Sequence, residues 1–189
     1  MDIGGFAVEK RYNNAVGETL EEWRELNARW LQFGTFCPIF RSHGQYPFRE
    51  IYNISPDNHE AYKGMVYYDQ LRYRLTPYIY ALAGKCYFDD YTIMRGLVMD
   101  FNSDPKVLNI ADQYMFGPGL LINPVYEYKV SSRQVYLPGQ SGWYDFYTYV
   151  QLKPGTNPAS LDAKFPDVVK KLGRQGDVDR FKFSLQHMP

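Results

Sequence analysis

One succession of residues limits this chain more than any other: an amphipathic helix that runs into a short apolar segment and then a polar turn. Leu20, Trp23, Leu26, Trp30 and Phe33 recur at helical spacing. Thr19 is placed to cap this helix, with Glu21 and Glu22 in the first turn, where negative charge is favourable. Gly34 and Pro38 stop it. Residues 37–40 then read as a strand, and Arg41-Ser42-His43-Gly44 as the turn at its end. Helix, strand and polar loop in that order belong to α/β architecture, where ligand-binding groups collect at the carboxyl ends of strands. The apolar stripe reads as a core-facing surface rather than a ligand box. His43 either recognises a ligand from that turn or simply caps it.

The other segments fit around this unit. Met1-Asp2-Ile3-Gly4-Gly5-Phe6 reads as a strand end followed by a glycine turn, where the backbone can bend sharply or meet a ligand closely. Residues 9–17 are polar and read as a loop. Pro47 to Glu50 continues the loop after His43, and Pro56-Asp57 marks another turn. The spacing predicts a second helix over 59–83, with Met65, Tyr68, Leu71, Leu75, Ile79 and Leu82 on its buried face. Pro77 predicts a kink within 73–76. Arg72 and Arg74 are expected to satisfy carbonyls and carboxylates rather than to bind ligand.

After Gly84 the period changes. Residues 91–101 read as a strand. Ser103 or Asp104 can cap a short helix with Pro105 at its first position. Short β segments are predicted over 115–125, 133–137 and 143–149. The change of period sets a division into residues 1–87 and 88–153. All 18 Tyr and all three Trp precede residue 150. The linker-like run KPGTNPAS begins at Lys153, and residues 154–189 carry one weak helical patch over 165–172 and read as a poorly packed tail.

Composition excludes several classes of function. Lys and Arg together number 21, and so do Asp and Glu, so the net charge is zero and no basic footprint for nucleic acid exists. No apolar run approaches the roughly 18 residues of a membrane span, and no signal-peptide pattern opens the chain. Cys37 and Cys86 are lone cysteines with no Cys/His cluster beside them, so both read as free thiols and no metal site or cofactor is expected. Aromatic residues make up 17% of the chain. That abundance suits either a core of large side chains or surfaces that stack on sugar rings.

Seven blocks taken in order carry a family resemblance: DIGGF, ELNARWLQFGTFCPIFRSHG, LRYRLTPYIYAL, MRGLVMDF, QYMFGPGLLINPVYEY, RQVYLP and GWYDFYT. Over residues 1–153 the chain resembles glycoside hydrolase family 31, and most of all its bacterial xyloglucan α-xylosidases. The resemblance implies an α/β plus β fold: the last strands and helices of a (β/α)8 TIM barrel, then a partial antiparallel β-sandwich. It implies a retaining α-glycosidase of α-xylosidase or α-glucosidase type acting on an α-linked, xyloglucan-type oligosaccharide. Retention needs two carboxyl groups about 5 Å apart. Neither of the family's aspartate motifs occurs here, so no catalytic residue is assigned, Met1 is expected to be an internal methionine, and the chain is expected to be inactive alone.

The resemblance places His43, in its R-x-H-G motif, at the hydroxyls of the sugar in the −1 subsite. Asp2 lies beside it, Phe6 forms an apolar wall, and Arg41 supports the loop. The chain departs from the family's usual R-E-P-W at Arg49-Glu50-Ile51-Tyr52 and from M-R-P-L at Met94-Arg95-Gly96-Leu97. Beyond Lys153 the resemblance stops. The sequence leaves location open; it is periplasmic or extracellular if the full-length relative is exported, as members of the family often are. A non-catalytic carbohydrate-binding or assembly module is the other reading, since it needs the same His43 and aromatics but no acid pair. Neither reading calls for nucleic acid or membrane.

Overall fold

A computed structural model describes residues 1–139 together with Trp143 and Phe146. The chain forms two compact units, Met1–Ser141 and Gly142–Pro189, and the elements named below all belong to the first. The β segment expected over 143–149, the helical patch over 165–172 and the tail over 154–189 lie outside the described residues, Trp143 and Phe146 excepted.

The first helix, α1, spans Gly17–Thr35. Its N-cap is Val16, three residues before the expected Thr19, and no side chain caps it. Its acidic first turn is held from outside instead. Glu18 accepts from Lys129 Nζ at 2.7 Å, and Arg11 bridges Glu9 and Glu22. The expected loop over 9–17 contains one 3-10 turn, Lys10–Tyr12, which buries the Tyr12 ring against Trp23 at 5.1 Å. Around these rings Ile3, Leu31, Ile54 and Met65 close a core. Burying a side chain such as Met65 contributes about 1.5–3 kcal/mol.

After the short α2 (Ile51–Ile54), helix α3 spans Glu60–Arg74. His59 caps it, its Nδ1 accepting from the Ala61 amide at 3.1 Å. The kink expected before Pro77 is a full break at Leu75, and α4 spans Thr76–Asp89. Proline has no N–H to give to the preceding turn, and it sits in the first turn of α4, where none is needed. Met65, Leu71, Leu75 and Leu82 are buried as expected, while Tyr68 and Ile79 are half-buried. Gly84 does not end the helix. It runs on to Asp89, and Asp90 in the left-handed region terminates it.

The strand expected over 37–40 is absent. The carbonyls of Thr35, Cys37 and Pro38, which a neighbouring strand would have taken, are satisfied by the Arg72 guanidinium of α3. Arg72 thus does what its type suggested, and in doing so it fixes this stretch as a turn.

The β region is a three-stranded antiparallel meander of β1 (Met94–Gly96), β2 (Tyr114–Phe116) and β3 (Leu120–Ile122). Met94 pairs with Phe116, and Tyr114 with Ile122. The strand expected over 91–101 is cut short at Gly96. Leu97–Asp100 then forms one helical turn, α5, that buries Leu97. The strand expected over 115–125 divides at Gly117, whose φ of +63° starts the hairpin. The short helix after Asp104 is a 3-10 turn, Pro105–Asn109, and Asp104 caps it by accepting from the Lys106 amide at 3.0 Å. Among the described residues, 133–137 join no ladder. Gln113 stands in for a neighbouring strand: its Nε2 donates to Tyr136 O at 2.8 Å, and its Oε1 accepts from Tyr136 N at 2.9 Å.

Candidate functional site

The two segments that the sequence analysis singled out meet side by side. Ile3 and Ser42 form a parallel bridge, and the Ile3 amide donates to Arg41 O at 3.0 Å. Successive side chains along extended backbone point to opposite faces. With Ile3 buried in the core, Asp2 is turned the other way, toward Arg41.

Nε of Arg41 donates to Asp2 Oδ1 at 2.9 Å. That bond, with the neighbouring positive charge, holds the Asp2 carboxyl below its ordinary pKa. Past Gly4 and Gly5, with φ of +83° and +79°, the chain reverses and presents Phe6 beside His43, with ring centroids 5.6 Å apart and tilted by 44°. Gln45 N donates to Phe6 O at 2.8 Å and closes the two turns against each other. All four expected residues, Asp2, Phe6, Arg41 and His43, therefore lie in one place. His43 and Phe6 are both exposed there.

The arrangement offers a carboxylate, a guanidinium, an imidazole and an aromatic face on one open wall. Such a set suits a polyhydroxylated ring, which takes donors and acceptors at its edge and an apolar surface at its face. Among the described residues, no three His, Cys, Asp or Glu side chains gather to hold a metal, and no helix is long and apolar enough to cross a membrane. Cys37 and Cys86 are free thiols. Burial pushes the Cys37 thiol up to about 11.

Two residues beneath this wall were missed as site residues. Asn27 is fully buried within the apolar stripe of α1, and its Nδ2 donates to Trp23 O at 2.7 Å. Arg49 is buried below the His43 turn. A Cβ on Gly4 would stand 2.4 Å from Asn27 Oδ1 and 3.3 Å from Arg49 Nε. Gly4 is thus approached closely by the protein's own polar groups. Helical spacing alone could have found Asn27, four residues after Trp23 and three before Trp30 on the stripe; no local signal marks Arg49 for burial. A separate cavity of about 800 Å³ lies on the other side of α1, where Leu26, Trp30 and Phe33 face Val125 and Tyr126. Part of the expected core stripe therefore lines a cavity, and none of the four wall residues reaches it.

Residues 1–82 match the model of the glycosyl hydrolases family 31 TIM-barrel domain, and residues 90–178 that of the glycosyl hydrolase family 31 C-terminal domain. The chain belongs to glycoside hydrolase family 31. The α-xylosidase of Saccharolobus solfataricus is 44% identical over 157 residues, which cover 82% of this chain and 21% of that protein. The crystal structure of the α-xylosidase of Xanthomonas citri superposes with a TM-score of 0.70 at 60% identity, over 72% of this chain and 15% of that one. A soil-metagenome α-xylosidase solved in complex with xylose superposes at 0.62 with 32% identity, over 72% of this chain and 22% of that one. The chain is thus a fragment relative to these enzymes, spanning about a fifth or less of their length. Its helices and small antiparallel sheet are consistent with part of a barrel followed by a β domain.

Proposed function

We propose that this chain supplies one wall of the −1 sugar pocket of a retaining α-glycosidase of the α-xylosidase type. The observation that carries this reading is the Ile3–Ser42 bridge, which brings Asp2, Phe6, Arg41 and His43 together from two distant segments. In this reading residues 1–87 are the last strands and helices of the barrel, and 88–153 belong to the following β domain. The imidazole of His43 donates to one sugar hydroxyl and accepts from another, with no proton transfer. Phe6 covers the apolar face of the ring. Arg41 holds Asp2 ionised and oriented, so that Asp2 accepts from a hydroxyl. Hydrogen bonds of this kind that tighten at the transition state contribute several kcal/mol in glycoside hydrolysis, so the wall can serve catalysis without a catalytic acid.

Xyloglucan-type oligosaccharides are the proposed substrate class. The chain hydrolyses nothing alone, because neither carboxylate motif of the family is in it. The test is to assay aryl α-xyloside hydrolysis by the chain alone and with a separately expressed polypeptide carrying both motifs. Turnover is expected only with the complement, and is expected to be lost with His43→Ala. Turnover by the chain alone that disappears with His43→Ala overturns the reading.

A further inference from the structure

Arg49 is 6% exposed, yet no carboxylate pairs with it among the described residues. Its partners are main-chain carbonyls. Nη1 donates to Gln45 O and, at 2.7 Å, to Pro47 O. Nη2 donates to Phe6 O at 3.4 Å. The guanidinium carbon lies 5.6 Å from the centre of the Trp23 ring. From the other side, Ser42 Oγ donates to Arg49 O at 2.8 Å. The turn that carries His43 is therefore tied to this one residue at Ser42, Gln45 and Pro47, and the Phe6 carbonyl is tied to it as well.

Gly44 shows how closely the turn and the guanidinium approach. A Cβ there would stand 2.6 Å from the guanidinium carbon and 2.8 Å from Gly5 O. Among the described residues the His43 side chain makes no hydrogen bond, and its aromatic neighbour is the Phe6 ring. The imidazole is thus directed by its backbone, and Arg49 holds that backbone. A buried cation is costly: burial lowers the Arg49 pKa, and the charge of Asp2 opposes that only in part. A residue kept in such a place needs a local reason. The fork of five N–H donors supplies one, since it can gather several carbonyls at once where a lysine ammonium cannot hold the same geometry.

We propose that Arg49 is a positioning residue for the sugar-facing wall, fixing His43 and Phe6 relative to each other by gathering the carbonyls of Phe6, Gln45 and Pro47. This rests on the reading of His43 and Phe6 as that wall. The test uses the full chain with isotope-labelled histidine and phenylalanine, with Arg49→Met, Arg49→Lys and Lys63→Met as a surface control. Circular dichroism monitors the fold, the His43 ring signals and the His43–Phe6 nuclear Overhauser effect monitor the wall, and xylose is the titrated ligand.

The expected result is a retained helical signal in Arg49→Met with the His43–Phe6 effect lost and the His43 signals split. Xylose affinity falls about tenfold or more. Arg49→Lys recovers part of both, and Lys63→Met changes neither. An unchanged His43–Phe6 effect with a single set of His43 signals in Arg49→Met overturns the proposal. If Arg49→Met does not fold, the same outcome in Arg49→Lys overturns it. Loss of the fold in both variants also overturns it, because Arg49 would then support the core and not the turn. If xylose binds no variant and not the parent chain, the sugar-pocket reading fails, while the ring signals still decide the role of Arg49.

Discussion

Asp2 and Arg41 stand 39 residues apart in the chain, yet Nε and Nη2 of Arg41 both lie against the same carboxylate oxygen, at 2.9 and 2.8 Å. This pair sits at the rim of the candidate site, where Arg41 is largely exposed and Asp2 is not. It keeps Asp2 an acceptor throughout the neutral range, which a group that receives hydroxyl protons needs to be.

The pair sets a pH dependence. The folded Asp2 carboxyl lies below its usual 3.8, chiefly through the hydrogen bond from Arg41. A carboxyl with a depressed folded pKa adds stability above the unfolded value and loses it as pH falls through the folded one. The window therefore lies below 3.8 and leaves neutral pH untouched. A carboxyl-carbon NMR titration is expected to place the Asp2 midpoint below 3.8 and to return it upward in Arg41→Met. An unchanged midpoint in that variant would show that the pair does not form in solution.

Gly4 and Gly5 both have positive φ, but only Gly4 is crowded. Gly4→Ala combines the left-handed penalty with a collision against Asn27 Oδ1, and is expected to destabilise the fold by about 2 kcal/mol or more. The nearest atom to a Cβ on Gly5 is 3.7 Å away, so Gly5→Ala carries the backbone penalty alone, about 1 kcal/mol. Chemical denaturation of the two variants measures the difference. Equal losses would mean that Asn27 moves aside.

Tyr78 joins α4 to the hairpin. Its hydroxyl donates to Phe116 O at 2.8 Å and accepts from Gly119 N at 3.1 Å. Tyr78→Phe leaves the buried Phe116 without that donor, and about 1 kcal/mol of stability is expected to go with it. The thermal midpoint should fall by a few degrees, with hydrogen exchange quickening at the Gly119 amide. No change in either would place the strength of that joint in the Phe36, Tyr78 and Phe116 rings instead.

The two thiols should separate cleanly. Burial raises Cys37 to about 11, so at pH 8 only about one in a thousand is thiolate. Cys86, half-buried on α4, is the more accessible of the two. A disulfide reagent added to the folded chain is expected to modify one thiol quickly, with the second reacting only in denaturant. Peptide mapping should assign the fast site to Cys86. Rapid labelling of Cys37 would show that the end of α1 opens readily.

The fold was legible where a local pattern and its partner lay close together. The α1 stripe, the cap at Asp104 and the break before Pro77 all follow from residues within a turn or two. The misses follow from distant partners. Residues 37–40 are apolar enough for a strand, but Arg72, far along the chain, takes their carbonyls. Among the described residues 133–137 join no ladder, and the main chain of Tyr136 is held by the Gln113 amide instead. Gly84 let α4 continue because helix interiors tolerate a glycine at a cost of about 1 kcal/mol. His43 is marked by its place in a polar turn, but Asp2, Phe6 and Arg41, and the role of all four, come from the family resemblance, since no local rule pairs residue 2 with residue 41. Asn27 lies on the apolar stripe by spacing, whereas Arg49 looks like an ordinary surface residue, and only the close approach of Gly4 and Gly44 shows what it packs against.

The bridge between Ile3 and Ser42 also bears on the order of folding. It spans the whole of α1, and closing such a loop costs chain entropy that only the finished contact offsets. Helix α1 needs only local contacts and can form before the bridge closes, whereas its packing on α3 closes loops of similar length, such as the 33 residues between Thr35 and Tyr68. A ligand seated on the proposed wall would hold the two ends of the bridged loop closed and so offset part of its closure entropy.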